Sequence, residues 1–303
     1  MLQGKIFDIK RFAIHDGPGI RTTIFFKGCN MKCLWCHNPE GLDESNDIFY
    51  YEEKCIRCGD CITACPEDAL VMNNKAMIDR KKCSTCGACV EVCPTESLTR
   101  AGRDVHLQAL MDTIKRSKIF YETSGGGVTI SGGEPLFHFD FVKELAKKCK
   151  EENIHVALDT AGHIQPKRFN KIIKYFDLFL YDLKIIDEDE HIKYTGVTNR
   201  YVIQNLKELS EQGRGGDVWI RFPMIPGITY TESNIEEMIG FLSGLNSIKD
   251  FYILPFHDVE EKYKKLGRPY SLSSRDIRAP TKREIRKMKD KFSKAGFRVH
   301  IGG

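Results

Sequence analysis

From Lys150 to Gly303 the chain carries no cysteine, although it has twelve in all. Eleven of them lie between Cys29 and Cys93, and the twelfth is Cys149. A disulfide framework spreads its bridges over the fold it staples, so this confinement argues for local metal binding rather than a secreted scaffold. Charge of one sign is scarce as well: 46 Lys and Arg against 42 Asp and Glu leave +4, too little to indicate nucleic acid. No apolar run is long enough to cross a bilayer, and Met1-Leu2-Gln3-Gly4-Lys5 does not open a signal peptide. A cytoplasmic monomer with neither membrane nor nucleic-acid partners is expected. At 41% hydrophobic and 29% charged, the 303 residues can bury a sizeable core in one large domain or two.

After residue 100 the sequence alternates strand and helix patterns, which predicts an α/β architecture with a parallel sheet. Short apolar runs, suited to strands buried on both faces, fall at about Val128–Ser131, His155–Asp159, Leu178–Asp182, Val218–Phe222 and Phe251–Leu254. Amphipathic helices are expected near Phe139–Glu151, Pro166–Tyr175, Tyr201–Gln212 and Glu232–Ser243. Thr22–Phe26 adds an early strand, giving six β/α steps. A capping box at Thr281–Glu284 starts a last helix before the strand Phe297–Ile301. The first step is interrupted by residues 48–100, a small inserted domain between a first barrel segment, 1–47, and the remainder, 101–303.

Within the insertion one pattern occurs twice: Cys55-x2-Cys58-x2-Cys61-x3-Cys65-Pro66 and Cys83-x2-Cys86-x2-Cys89-x3-Cys93-Pro94. It matches the bacterial ferredoxin signature, in which the fourth cysteine of each run ligates the other cluster. That rule assigns Cys55, Cys58, Cys61 and Cys93 to one [4Fe-4S] cluster, and Cys83, Cys86, Cys89 and Cys65 to a second. Two four-cysteine zinc sites are the alternative, but zinc modules usually separate two Cys pairs by a longer stretch.

Upstream stands Cys29-x3-Cys33-x2-Cys36, with Trp35 before the last cysteine. Three thiolates on a four-iron cluster leave one iron open; a reactive thiol group or a zinc site is the alternative. Asp159-Thr160, Asp182-x-Lys184, Arg221 and His257 each stand at the end of a predicted strand, and Ser131-Gly132-Gly133-Glu134-Pro135 follows another. In a β/α barrel that edge is the catalytic face. Cys149, late in a predicted helix, reads as a packed thiol.

The three-cysteine motif resembles the radical S-adenosylmethionine (SAM) superfamily. The segment His15-Asp16-Gly17-Pro18-Gly19-Ile20-Arg21-Thr22 resembles the signature of the glycyl-radical-enzyme activating enzymes, the pyruvate formate-lyase activating enzyme family. Leu158–Gly162, Tyr181–Lys184, Trp219–Arg221, Pro226-Gly227 and Leu254–His257 extend the likeness over nearly the whole chain. The resemblance implies a partial (β/α)6 TIM-like radical SAM barrel, open on one side, with an inserted bacterial-ferredoxin-like domain. It implies three [4Fe-4S] clusters, SAM and a monovalent cation. Cys29, Cys33 and Cys36 would hold the SAM cluster, and Trp35 would lie against adenine. Gly132, Gly133 and Glu134 would meet the amino end, and Asp182, Lys184, Arg221 and His257 would line the SAM pocket. Lys184 and His257 would serve in catalysis, Asp159, Thr160 and Asp182 would hold the cation, and Asp16 would grip the partner's glycine loop. Reductive cleavage of SAM to methionine and a 5′-deoxyadenosyl radical, followed by hydrogen abstraction from a backbone glycine of a partner glycyl radical enzyme, is the implied activity. A flavodoxin or ferredoxin would be the electron donor. The insertion departs from the pyruvate formate-lyase activator and points to the branch serving dehydratases, decarboxylases or carbon–nitrogen and carbon–sulfur lyases. A peptide-modifying radical SAM enzyme usually places its extra cysteines after the barrel, and a plain electron carrier leaves Cys29–Cys36 and Gly132–Glu134 unexplained.

Overall fold

The chain is described by a computed structural model over residues 2–73, 75–245, 247–273 and 277–302. Seven parallel strands form the body of one sheet, in the spatial order Arg21–Phe26, Gly127–Gly132, His155–Thr160, Leu178–Asp182, Val218–Met224, Asp250–Pro255 and Arg298–Ile301. Every strand of this series was expected from its apolar run, to within two residues at each end. Two further strands, Gln3–Ala13 and Arg103–His106, continue the sheet antiparallel beyond Arg21–Phe26. Their polar residues on the exposed edge hid them from a search for buried runs. The nine strands do not close: Arg298–Ile301 and Arg103–His106 are the two ends of the order.

Alternation along each strand divides its side chains between two faces. Val156, Leu158, Phe179, Tyr181, Val218, Ile220 and Phe222 are buried outward against the helices, among them Phe139–Glu151, Arg200–Glu211 and Glu232–Ser243. Ala157, Leu178, Leu180 and Trp219 pack together on the inner face. Asp159, Asp182 and Arg221 continue that inner set, two residues on. Cys149 is fully buried in the outer core, 3.9 Å from the Met111 sulfur, as a packed thiol should be.

The helix expected over Pro166–Tyr175 is broken. A single α-turn, Pro166–Phe169, is followed by a 3₁₀ turn, Ile173–Tyr175. Arg214 donates to the carbonyls of Ile173 (3.3 Å) and Phe176 (2.8 Å), so the open carbonyls at the end of the second turn are satisfied from outside.

Residues 47–101, between the first and second parallel strands, form a separately cored unit. Asp47–Tyr50 pairs antiparallel with Leu98–Ala101, enclosing a hairpin, Leu70–Asn73 with Lys75–Ile78. Two short helices, Asp60–Thr63 and Ala88–Glu91, each follow a glycine in the left-handed region, Gly59 and Gly87. Ile48, Cys61, Leu70, Cys89 and Leu98 are its buried core.

Candidate functional site

The inner face of the sheet opens at its C-terminal edge into a cavity of about 390 Å³. Cys29, Cys33, Cys36, Trp35, Gly132, Gly133, Glu134, Asp159, Thr160, Asp182, Lys184, Arg221 and His257 all line it. Five strand ends and one loop therefore converge as the sequence reading expected. Asp16 does not join them. It lies before the first parallel strand, where its carboxylate accepts from the Thr23 hydroxyl at 2.6 Å and its carbonyl accepts from Thr129.

The cysteine loop leaves the strand Arg21–Phe26 and is pinned by its backbone. Cys29 N–H donates to the Leu42 carbonyl (3.0 Å), Lys32 N–H to Thr195 (2.7 Å) and Leu34 N–H to Tyr194 (3.1 Å). Burial pushes the thiols of Cys29, Cys33 and Cys36 up to about 12. Such groups are protonated at neutral pH and are poor nucleophiles until a metal displaces the proton, which disfavours a reactive-thiol site. Beyond Cys36 the loop is gripped by the helix Glu260–Leu266: the Tyr263 hydroxyl donates to the Cys36 carbonyl and Lys262 to that of His37.

Glycine at 132 and 133 serves the chain's own backbone. A Cβ on Gly132 would lie 2.2 Å from the Phe26 nitrogen and carbonyl oxygen, and one on Gly133 would lie 2.3 Å from the Gly41 carbonyl. These glycines permit close seating of their strand end against the strand Arg21–Phe26 and the cysteine loop, and both also line the cavity. Glu134 then projects into the cavity wall. Its Oε1 accepts from Leu136 N–H (3.1 Å) and Thr160 Oγ1 (2.7 Å), and its Oε2 from Ala161 N–H (3.0 Å). Burial nevertheless pushes the carboxyl up to about 7, because those bonds offset only part of the desolvation.

Opposite charges meet on the inner face. Arg221 Nη1 stands 3.0 Å from Asp159 Oδ1, and Lys184 donates to Asp182 at 2.6 Å. Burial lifts the Asp159 carboxyl, with Arg221 opposing it. The Arg221 Nε and Nη1 donors are buried without hydrogen-bond geometry to any acceptor, the ion pair notwithstanding. The three side chains assigned to a cation are engaged elsewhere: Asp159 with Arg221 and Ser131, Asp182 with Lys184, Thr160 with Glu134. Among the described residues no three His, Cys, Asp or Glu side chains converge closely enough to hold a single ion.

The cavity also has an apolar wall, to which the motifs assign no role beyond that of Trp35. Ile225 and Phe256 pack with Trp35, Ile185 and Tyr194, and the His37 ring lies 4.3 Å from that of His257. These follow Arg221 and precede His257 in sequence, so adjacency to a strand end was the available signal.

In the inserted unit, Cys65, Cys83, Cys86 and Cys89 line one small enclosed pocket. Cys55, Cys58 and Cys93 lie near Cys61. Each set draws three cysteines from one run and the fourth from the other.

The family model described as the Radical SAM superfamily matches residues 23–242. A trans-4-hydroxy-L-proline dehydratase activating enzyme of Clostridioides difficile is 42% identical over 98% of this chain and 99% of its own. A pyruvate formate-lyase 2-activating enzyme of Escherichia coli K12 is 33% identical over 99% of this chain and 92% of its own. The crystal structure of a domain of pyruvate-formate lyase-activating enzyme from Bacteroides vulgatus is 27% identical, with a TM-score of 0.50 over 59% of this chain and 99% of that one. Matched in this way along almost its entire length, the chain belongs to the radical SAM superfamily and, within it, to the activating enzymes that generate the radical of glycyl radical enzymes.

Proposed function

We propose that the cavity at the strand ends binds SAM beside a [4Fe-4S] cluster held by Cys29, Cys33 and Cys36, and that the partner is a dehydratase-type glycyl radical enzyme. The observation that carries the reading is the meeting of three half-buried thiols, a buried carboxylate and a guanidinium with orphaned donors on one cavity. That donor set suits the ligand. Glu134 would hold its ammonium, while the Arg221 donors and Lys184 face the region where its carboxylate is needed. Trp35 offers an apolar face for adenine, beside His257. A monovalent cation among Asp159, Thr160 and Asp182 would have to displace Arg221 and Lys184. Asp16, anchored by Thr23, would present its loop to the partner's glycine segment.

When bound, the cluster and SAM supply a 5′-deoxyadenosyl radical that takes a hydrogen atom from the partner's glycine. The chain's own residues hold the reacting end in place, and the buried, apolar wall of Trp35, Ile225 and Phe256 keeps water from it. The paired cysteine sets of residues 48–100 support a ferredoxin-like domain with two further [4Fe-4S] clusters. They would pass electrons from a flavodoxin or ferredoxin. Oxygen-sensitive clusters suit a monomeric cytoplasmic enzyme, and among the described residues no helix could cross a membrane. The dehydratase class rests on the 42% identical relative. The insertion alone does not separate the chain from pyruvate formate-lyase activators, since a relative so named aligns over 99% of it. The partner test is an electron paramagnetic resonance doublet on trans-4-hydroxy-L-proline dehydratase after anaerobic incubation with reduced enzyme and SAM. A doublet on a pyruvate formate-lyase instead would overturn the class.

Glu134 makes the binding pH-dependent. A carboxyl raised to about 7 is protonated below that pH and must lose its proton to pair with an ammonium. SAM affinity should therefore fall about tenfold per unit as pH drops below 7, and level off above it. Equilibrium dialysis of the reconstituted enzyme between pH 5.5 and 8.5, all about these values, reads the slope. A flat profile would mean that Glu134 is not the ammonium partner.

A further inference from the structure

The inserted unit repeats itself at a fixed offset: Cys83 follows Cys55, Cys93 follows Cys65, Ile78 follows Tyr50 and Ser97 follows Ala69, each by 28 residues. The structure keeps this symmetry, since Tyr50 pairs with Leu98 across one ladder and Ile78 with Leu70 across the other. The symmetry fails at two hydroxyls. The Tyr50 hydroxyl lies beside the Cys55 sulfur, and Ala76 N–H donates to the Tyr50 oxygen at 3.3 Å, leaving the phenolic proton free to turn toward that sulfur. The Ser97 hydroxyl, 3% exposed, stands 3.4 Å from the Cys93 sulfur, with Thr95 Oγ1 at 3.9 Å. Cys55 and Cys93 belong to the same set of four. In the other set the equivalent positions are Ile78 and Ala69, which have no hydroxyl, and Cys65 receives the Ala69 N–H at 3.3 Å.

We propose that Tyr50 and Ser97 are hydroxyl donors that raise the reduction potential of the cluster on Cys55, Cys58, Cys61 and Cys93, making the two clusters of the insertion electronically inequivalent. Hydrogen bonds to the sulfurs stabilise the reduced, more negative cluster. The other set is poised differently: the Arg80 guanidinium lies near Cys83 and Cys89, and Glu67 lines the same pocket. Each substitution is therefore compared with the parent at the same cluster, not one cluster with the other. The inference rests on the two-cluster reading of the insertion.

The test is an anaerobic redox titration of the reconstituted full chain, followed by electron paramagnetic resonance, on the parent and on Tyr50→Phe, Ser97→Ala and Ala69→Ser. Tyr50→Phe and Ser97→Ala should both lower the same midpoint, raising the oxidised-to-reduced ratio at fixed poise on the order of tenfold, 59 mV for one electron. Ala69→Ser should raise a different midpoint, and the SAM cluster should not move in any variant. With about twelve iron per chain present, midpoints unmoved by these variants would overturn the inference while leaving the clusters standing. About four iron per chain in the parent would overturn the two-cluster reading and the inference with it.

Discussion

Replacing Cys33 by Ala should abolish 5′-deoxyadenosine formation, lowering it to the level of an enzyme-free control, while iron falls from about twelve to about eight per chain. The loop is held by backbone bonds at Cys29, Lys32 and Leu34, none of which uses the Cys33 side chain, so the fold should survive the change. With three protein ligands already the minimum for an open-iron cluster, two thiolates leave too few to retain it. The signals of the two clusters proposed for residues 48–100 should persist, because the eight cysteines that would hold them lie in a unit with its own core. A variant that still makes 5′-deoxyadenosine at the parent rate would remove this motif from the chemistry.

Glu134→Gln should weaken SAM binding by about 2–3 kcal/mol, roughly 30- to 150-fold in Kd. Three donors converge on the carboxylate, from Leu136, Thr160 and Ala161, and a carboxamide must turn its NH2 toward at least one of them. The same conflict should lower stability by about 1–3 kcal/mol, read as a shift of the denaturant midpoint. Unchanged affinity together with lowered stability would make Glu134 a brace for the Thr160–Ala161 turn and nothing more. The pH slope predicted for the parent should vanish in the variant, a signature that bracing alone would not produce.

Much of this site could be read before the fold was known, because its residues obey two separate regularities. Asp159, Asp182 and Arg221 sit at the inward positions of consecutive strands, and parallel register sets Asp182 directly beside Arg221. The cysteines follow spacings dictated by the reach of a short loop around a cluster. What escaped detection had no such period. The strands Gln3–Ala13 and Arg103–His106 have no continuous apolar run; the first pairs with the strand Arg21–Phe26 and the second, exposed along its length, pairs only with the first. The segment after the break at Asn170–Ile172 is held by Arg214, some forty residues away, through the carbonyls of Ile173 and Phe176, a tertiary contact with no local signal. The close contacts of Gly132 and Gly133 were also hidden, since the atoms they clear belong to Phe26 on the neighbouring strand and to Gly41 on a loop whose return path is a tertiary fact.

The central claim is that this chain removes a hydrogen atom from a glycine of its partner by way of SAM. The most direct measurement uses a partner glycyl radical enzyme deuterated at its glycines, incubated anaerobically with the reduced enzyme and SAM, with the 5′-deoxyadenosine weighed by mass spectrometry. One deuterium transferred into 5′-deoxyadenosine, together with a radical doublet on the partner, is the predicted result. Unlabelled 5′-deoxyadenosine with no doublet on the partner would contradict it.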